Sequence, residues 1–222
     1  MADASNNRLT LQAYEDNLQA YIEGTPQTVH GPFQKWLDQV LGHIARGGTI
    51  LELGTAFGRD ADYIEAHGFR VVRTDAVTGF VDLLAAQAQA AHRLDALADD
   101  FGGPYDAVYA NAVVLHFTPQ QLAEVLRKAH TALASDGILA FTVKQGSGAG
   151  WNTDKLGAKR YFHYWTADPL AELVKSANFE IIQLESGSYP HRPDTIWLRV
   201  IARKSNPGAK IPETDTKAFT TH

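Results

Sequence analysis

Apolar and polar residues change period along the chain, and the changes mark out its architecture. Leu11, Tyr14, Leu18, Tyr21 and Ile22 recur at three- and four-residue intervals, which predicts one amphipathic helix over residues 9–22, ended by Glu23-Gly24-Thr25-Pro26. Gly31-Pro32 opens a second, with Phe33, Trp36, Leu37, Val40, Leu41 and Ile44 on its apolar face and Gly47-Gly48 at its close. Short apolar runs then alternate with helical patterns. Strands are predicted over 49–53, 69–74, 92–94, 104–111 and 138–143, with helices over 59–67, 77–91 and from Pro119 onward, behind Thr118 as N-cap. The run from Ile138 to Val143 is apolar almost throughout, as a strand covered on both faces must be.

That alternation predicts a mostly parallel, doubly wound sheet. The ending departs from it. Phe179 to Leu184 and Ile196 to Ala202 read as two strands joined only by a turn-like segment, so a hairpin should add an antiparallel edge to the sheet. The expected fold is α/β: a seven-stranded, mostly parallel sheet with an antiparallel C-terminal hairpin and an N-terminal helical cap. Residues 1–8 are expected to be a flexible start and 204–222 a flexible tail. Residues 9–203 form a single domain, with the cap over 9–47 and the core over 48–203.

Composition narrows the function. With 222 residues, 45% of them hydrophobic, the chain can bury a substantial core. It has no cysteine, which removes disulfides, thiolate metal sites and thiol nucleophiles. The histidines lack the shared helix-face spacing of a ligand pair, so no metal is expected. A formal net charge of −5 with interspersed signs disfavours a polyanionic substrate such as nucleic acid. No run approaches the ~18 apolar residues of a membrane span, and the N-terminus lacks a signal-peptide core. A soluble, cytoplasmic protein is expected, as a monomer or homodimer with no membrane partner.

The candidate chemistry lies between Gly48 and Asp75. The run Thr49-Ile50-Leu51-Glu52-Leu53 ends at the turn Gly54-Thr55-Ala56-Phe57-Gly58, Arg59-Asp60 begins a helix, and Arg70-Val71-Val72-Arg73-Thr74 delivers Asp75. A strand that turns straight into a helix aims unsatisfied N–H groups into the crevice beside the sheet edge, and glycine lets a ligand approach the backbone. About twenty residues on, the Asp75 carboxylate is placed to accept the vicinal hydroxyls of a ribose. The spacing is Gly-x-Ala-x-Gly behind Glu52, not the Gly-x-Gly-x-x-Gly of a dinucleotide fingerprint.

Glu52-Leu53-Gly54-Thr55-Ala56-Phe57-Gly58 resembles the first motif of class I S-adenosylmethionine (SAM)-dependent methyltransferases, with Ala56 at the middle glycine. Residues 105–118, Thr142 to Gly148 and Arg160 to Thr166 resemble segments of a bacterial branch, the tellurite-resistance-type and small-molecule methyltransferases. The likeness covers about residues 10–203. It implies SAM as cofactor, contacted by Tyr21, Glu52, Gly54, Thr55, Ala56, Gly58, Arg59, Asp60, Asp75, Ala76, Asp95, Ala96, Asn111, Ala112 and His116. In the resemblance Asp95 and its neighbour read the adenine amino group, the N-terminal helices cap the crevice, and Tyr14 or Tyr21 lies over the cofactor. Both tyrosines could instead only pack, and Asp95 could be an ordinary turn aspartate.

The acceptor must be met at C-terminal strand ends. His116, after the fourth strand, is the first candidate for a base, or else packs against the cofactor ribose; His163 is the second. Tyr14, Lys144, Arg160, His163, His191 and Arg192 are candidate substrate contacts, the cations giving the crevice a positive lining for an anionic small molecule. Solvated loop charges are the bland alternative. The aromatic run Tyr161, Phe162, Tyr164 and Trp165 beside Gly146-Ser147-Gly148 suggests a mobile lid, unless alternate members are core. Asn111-Ala112-Val113-Val114 is not the Asn/Asp-Pro-Pro-Tyr signature of enzymes methylating amino groups of bases or glutamine side chains, which disfavours a nucleic-acid substrate; a small-molecule acceptor is expected, methylated on oxygen rather than nitrogen. The rival readings are an NAD(P)-dependent oxidoreductase and a non-catalytic SAM-binding protein.

Overall fold

The computed structural model describes residues 2–189 and 192–205. In chain order it contains α1 (Ala2–Glu15), α2 (Leu18–Glu23), α3 (Gly31–Gly42), β1 (Thr49–Leu53), α4 (Arg59–Ala66), β2 (Arg70–Asp75), α5 (Thr78–Ala86), β3 (His92–Arg93), β4 (Tyr105–Ala110), α6 (Pro119–Ala132) and β5 (Leu133–Lys144). There follow β6 (Ala149–Asn152), β7 (Arg160–His163), α7 (Ala167–Ser176), β8 (Phe179–Tyr189) and β9 (Arg192–Lys204).

The main sheet has seven strands in the order β3-β2-β1-β4-β5-β9-β8. The first five are parallel, while β9 runs antiparallel to both β5 and β8. The chain lays β2 and β3 on one side of β1, then crosses back to place β4 and β5 on the other. The crevice therefore opens beyond the C-terminal ends of β1 and β4, where the winding reverses.

Side-chain alternation along the strands fills both faces. Ile50, Ala107, Tyr109, Ile138, Ala140 and Ile201 pack on one side under Phe33, Trp36, Leu37, Val40 and Leu41 of α3. Leu51, Leu53, Val108, Ala110, Leu139 and Phe141 pack on the other under α6 and α7. Thr118 and Gln121 form a reciprocal capping box that fixes the start of α6 behind Pro119. No helix among the described residues is long and apolar enough to cross a membrane.

Several elements differ from the pattern-based expectation. The helix expected over 9–22 is two, broken at Asp16-Asn17, and α1 already begins at Ala2. Residues 2–8 carry no apolar stripe; tertiary hydrogen bonds such as Asn7 Nδ2 to Asp95 Oδ2, 3.3 Å, fasten α1 instead. Helix α5 ends at Ala86 because Ala88 takes a left-handed conformation, φ 59°. The Gly-rich and aromatic stretch expected as a lid is the antiparallel hairpin β6–β7, with Phe162 and Trp165 buried in the core. Helix α7 was not among the elements expected. The tail from residue 206 lies outside the described residues.

Candidate active site

The turn after β1 is built from left-handed backbone: Gly54 at φ 72°, Ala56 at 50° and Gly58 at 85°. Ala56 is held there because its N–H donates to Asp75 Oδ2 at 2.9 Å, while Thr55 N–H donates to the Thr74 carbonyl at 2.8 Å. Asp75 Oδ1 accepts the Val77 N–H at 2.9 Å. The Ala76 N–H also acts on this carboxylate, which lines the smaller of two cavities over the turn. Burial pushes the Asp75 carboxyl up to about 6, against the pull of the Val77 and Ala56 N–H groups.

Two cavities meet over this turn, sharing Tyr21, Gly54, Ala56, Asn111 and Ala112. The smaller, about 80 Å³, has Asp75, Ala76, Asp95, Ala96, Tyr14 and His116 in its wall, under α1. The larger, about 410 Å³, runs past Thr55, Arg59 and Asp60 to Phe33, Lys155, Tyr189 and Trp197. A nucleoside with an amino-acid tail fits this division: the Asp75 and Asp95 carboxylates both line the smaller cavity, and a Cβ on Gly54 would overlap Val113 Cγ2.

Beneath the larger cavity lies a closed polar network. Arg59 Nε and Nη2 both meet Asp60 Oδ1 at 2.7 Å. Tyr109 Oη and Asn111 Nδ2 both donate to Asp60 Oδ2 at 2.9 Å. Thr142 Oγ1 donates to Asn111 Oδ1 and accepts the Ala112 N–H, each at 2.8 Å. Arg59 also reaches the Pro26 carbonyl and lies over the Phe33 ring, tying the α2–α3 connection to the sheet.

Glu52 sits below this network, 2% exposed, with Oε2 lacking a hydrogen-bond partner. Burial first, then the Asp60 charge, pushes its carboxyl up to about 8. Its folded-state value is raised, so its contribution to stability is fullest below about pH 4.5 and is lost as pH rises through about 8; Asp75 adds the same sign between about 3.8 and 6. Melting temperature should therefore fall between about pH 5 and pH 8. Glu52→Gln should flatten that slope and raise the alkaline-side melting temperature by at least about 2–4 °C, the effect of roughly 1 kcal/mol in a chain this size. A pH series of thermal melts on both proteins checks this, and parallel slopes would refute it.

His116 is buried with both ring nitrogens engaged. Nδ1 lies 2.6 Å from the Tyr161 carbonyl, which can only accept, so Nδ1 carries the hydrogen and Nε2 accepts from the Tyr14 hydroxyl at 2.9 Å. Arg160 Nη1 donates in turn to Tyr14 at 3.2 Å. Burial, with the Arg160 and Lys144 charges, drives His116 down to about 3, so the ring is neutral.

The other expected acceptor contacts do not converge on the crevice. Lys144, Arg160 and His163 are absent from the walls of both cavities. Lys144 lies over the Phe162 ring at 4.2 Å, Arg160 is buried against the Tyr14 and Phe162 rings, and His163 packs its ring edge on Trp165. Burial lowers the His163 pKa. The positive lining expected from these residues is thus not formed by them: the period-two alternation of β7 turns Arg160 and Phe162 inward. His191 lies outside the described residues, as does the side chain of Arg192.

The cations at the larger cavity are Lys155 and Arg59. The Lys155 ammonium donates to Thr25 Oγ1 at 2.5 Å and lies 3.8 Å over the Tyr21 ring. His30, Thr28, Phe33 and Trp197 complete a wall that the sequence did not flag, since none sits in a recognisable motif. Among the described residues no cluster of three or more His, Cys, Asp or Glu could hold a metal.

A doubly wound sheet with acidic groups at the ends of two neighbouring strands, and a reversed hairpin at its edge, defines a nucleoside-cofactor protein of the α/β class. A family profile described as a methyltransferase domain matches residues 27–184. The chain belongs to that family and is a SAM-dependent methyltransferase, with S-adenosylmethionine as its cofactor.

Solved structures agree on the fold. Burkholderia thailandensis 1,6-didemethyltoxoflavin-N1-methyltransferase superposes with a TM-score of 0.64 at 22% identity, covering 78% of each chain. A Methanosarcina mazei SAM-dependent methyltransferase gives 0.66 at 14% identity, covering 75% of this chain and 97% of the other. Haemonchus contortus phosphoethanolamine N-methyltransferase 2 gives 0.69 at 12% identity, covering 90% and 60%. No curated protein matches the chain.

Proposed function

We propose that the protein methylates an oxygen nucleophile on a small, anionic acceptor held in the larger cavity, and that it does so in the cytoplasm, as a monomer or homodimer, without engaging nucleic acid. The observation that carries this reading is the larger cavity itself. It adjoins the cofactor crevice, has the size of a metabolite pocket, and joins aromatic walls to the Lys155 ammonium. The segments around residues 105–118 and 160–166 favour the bacterial small-molecule branch, the tellurite-resistance type included.

The bound cofactor supplies an electrophilic methyl on a positively charged sulfur. The chain's own task is to position the acceptor in line, exclude water and deal with a proton. In this reading Asp75 holds the ribose and Asp95 the adenine, while Phe33, Tyr189 and Trp197 cover the acceptor. Asn111 is spent on Asp60 and Thr142, which argues against an amide clamp on an amine and so for oxygen. The acids nearby are poor bases: Glu52 holds its proton to about 8, and both Asp60 oxygens are taken by donors. His116 acts by fixing Tyr14, not by taking the proton directly. An acceptor oxygen that ionises on its own near neutrality, phenolic or enolic, suits such a site, with Lys155 as counter-charge.

The test is methyl transfer from labelled SAM to a panel of phenolic and enolic acids and their neutral analogues. Lys155→Met should raise KM for the anionic acceptor about tenfold, with S-adenosylhomocysteine (SAH) affinity within about threefold of the parent. An unchanged KM, or a preference for neutral amines, removes the reading.

A further inference from the structure

The turn after β3 carries Asp95 into the wall of the smaller cavity, yet it is only a single turn long. Its N-terminal end is closed internally: Asp95 Oδ1 accepts the Leu97 N–H at 2.9 Å, and Asp99 Oδ2 accepts the Asp95 N–H at 2.8 Å. The Ala98 and Asp99 N–H groups return to the Asp95 carbonyl at 3.1 and 2.8 Å.

Its C-terminal end is closed from outside. The carbonyls of Ala96, Leu97 and Asp99 converge on Lys128 Nζ at 3.2, 2.8 and 2.9 Å. An ammonium has three hydrogens, and here all of them are directed at one turn. Lys128 projects from α6 between Val125, Leu126 and Ala129, which are buried, so its base is fixed by the core. The ammonium also lies 5.8 Å from the Phe101 ring centre. A lysine closing the last carbonyls of a helical turn is a known end-capping device, here applied to a ligand-facing turn.

We propose that Lys128 is the positioning residue for adenine recognition: by clamping the Asp95–Asp99 turn it sets the preference for a 6-amino purine. It lies in neither cavity wall, so it acts through Asp95 and Ala96. The proposal rests on the reading of Asp95 as the adenine contact. Arginine is a poor replacement, since a planar fork cannot aim three N–H groups at carbonyls arranged around a point.

The experiment is calorimetric titration with SAH and with S-inosylhomocysteine, which carries a carbonyl where adenine has its amine. The parent protein should prefer SAH by about ten- to a hundredfold, the worth of one hydrogen bond to a charged group. Lys128→Met should lose most of that preference, weakening SAH about tenfold while inosyl binding stays within about threefold. Lys128→Arg should recover part of the preference, and it carries the test if the methionine variant does not fold. Equal weakening of both ligands would mean a merely structural lysine and would overturn the proposal, as would no weakening of either. A parent protein that binds both ligands equally removes the Asp95 reading and this proposal with it. A parent that binds neither removes the cofactor placement itself.

Discussion

Asp75→Asn should abolish SAH binding at any practical concentration. The parent carboxylate accepts the Ala56 and Val77 N–H groups and lines the smaller cavity. An amide has only one acceptor, so its NH2 must face one of those two N–H groups. Leaving a buried donor unmatched costs about 1–3 kcal/mol. The Ala56 bond also holds a non-glycine residue at positive φ, a conformation worth about 1–2 kcal/mol of strain, so the turn is free to relax once it is lost. Two hydrogen bonds from ribose hydroxyls to a charged group add about 3–6 kcal/mol. Together these predict a loss of at least about a thousandfold. Calorimetry against SAH measures it, and affinity retained within tenfold would show that Asp75 does not grip the cofactor.

Gly54→Ala should be nearly as damaging, by a different route. The neighbouring Ala56 shows that this turn tolerates a Cβ at positive φ where there is room. At Gly54 there is none, because the new methyl would overlap Val113 Cγ2. Valine is branched at Cβ and has few rotamers with which to yield. The backbone around Ala112, which belongs to both cavities, must shift instead. We expect SAH affinity to fall about a hundredfold or more and melting temperature to drop by at least about 2–4 °C. Val113→Ala in the same chain should restore part of both. If the double variant shows no such coupling, the overlap is not the cause.

The sheet and its reversed edge were legible because buried strands and amphipathic helices write their periods into the sequence. Leu51 and Ile50 face opposite sides of the sheet, as strict alternation demands. What escaped was held by contacts without period. Residues 2–8 contain no large apolar side chain, and nothing local announces that Asn7 will meet Asp95, 88 positions away. Helix α7 did carry a signal, Leu170, Leu173 and Val174 at helical spacing, overshadowed by the aromatic run before it.

The motif-borne residues were readable for a similar reason. Gly54, Ala56 and Asp75 lie within one β-α-β unit, whose geometry is local. The wall of the larger cavity is assembled from the α2–α3 connection, the β6–β7 loop and the last hairpin, so proximity there depends on the whole fold. Arg160 and Lys144 looked like lining cations because loops at strand ends usually face the crevice. The pleat of β7 and the Phe162 ring took them elsewhere.

The line from Arg160 through Tyr14 and His116 to the Tyr161 carbonyl, joined by the Tyr161 N–H to Thr10 Oγ1 at 3.0 Å, yokes α1, the roof of the smaller cavity, to the hairpin whose loop carries Lys155. Raising one drags on the other. The two cavities consequently share a single strut, and whatever factor a ligand in one adds to the grip on a ligand in the other must be returned in equal measure.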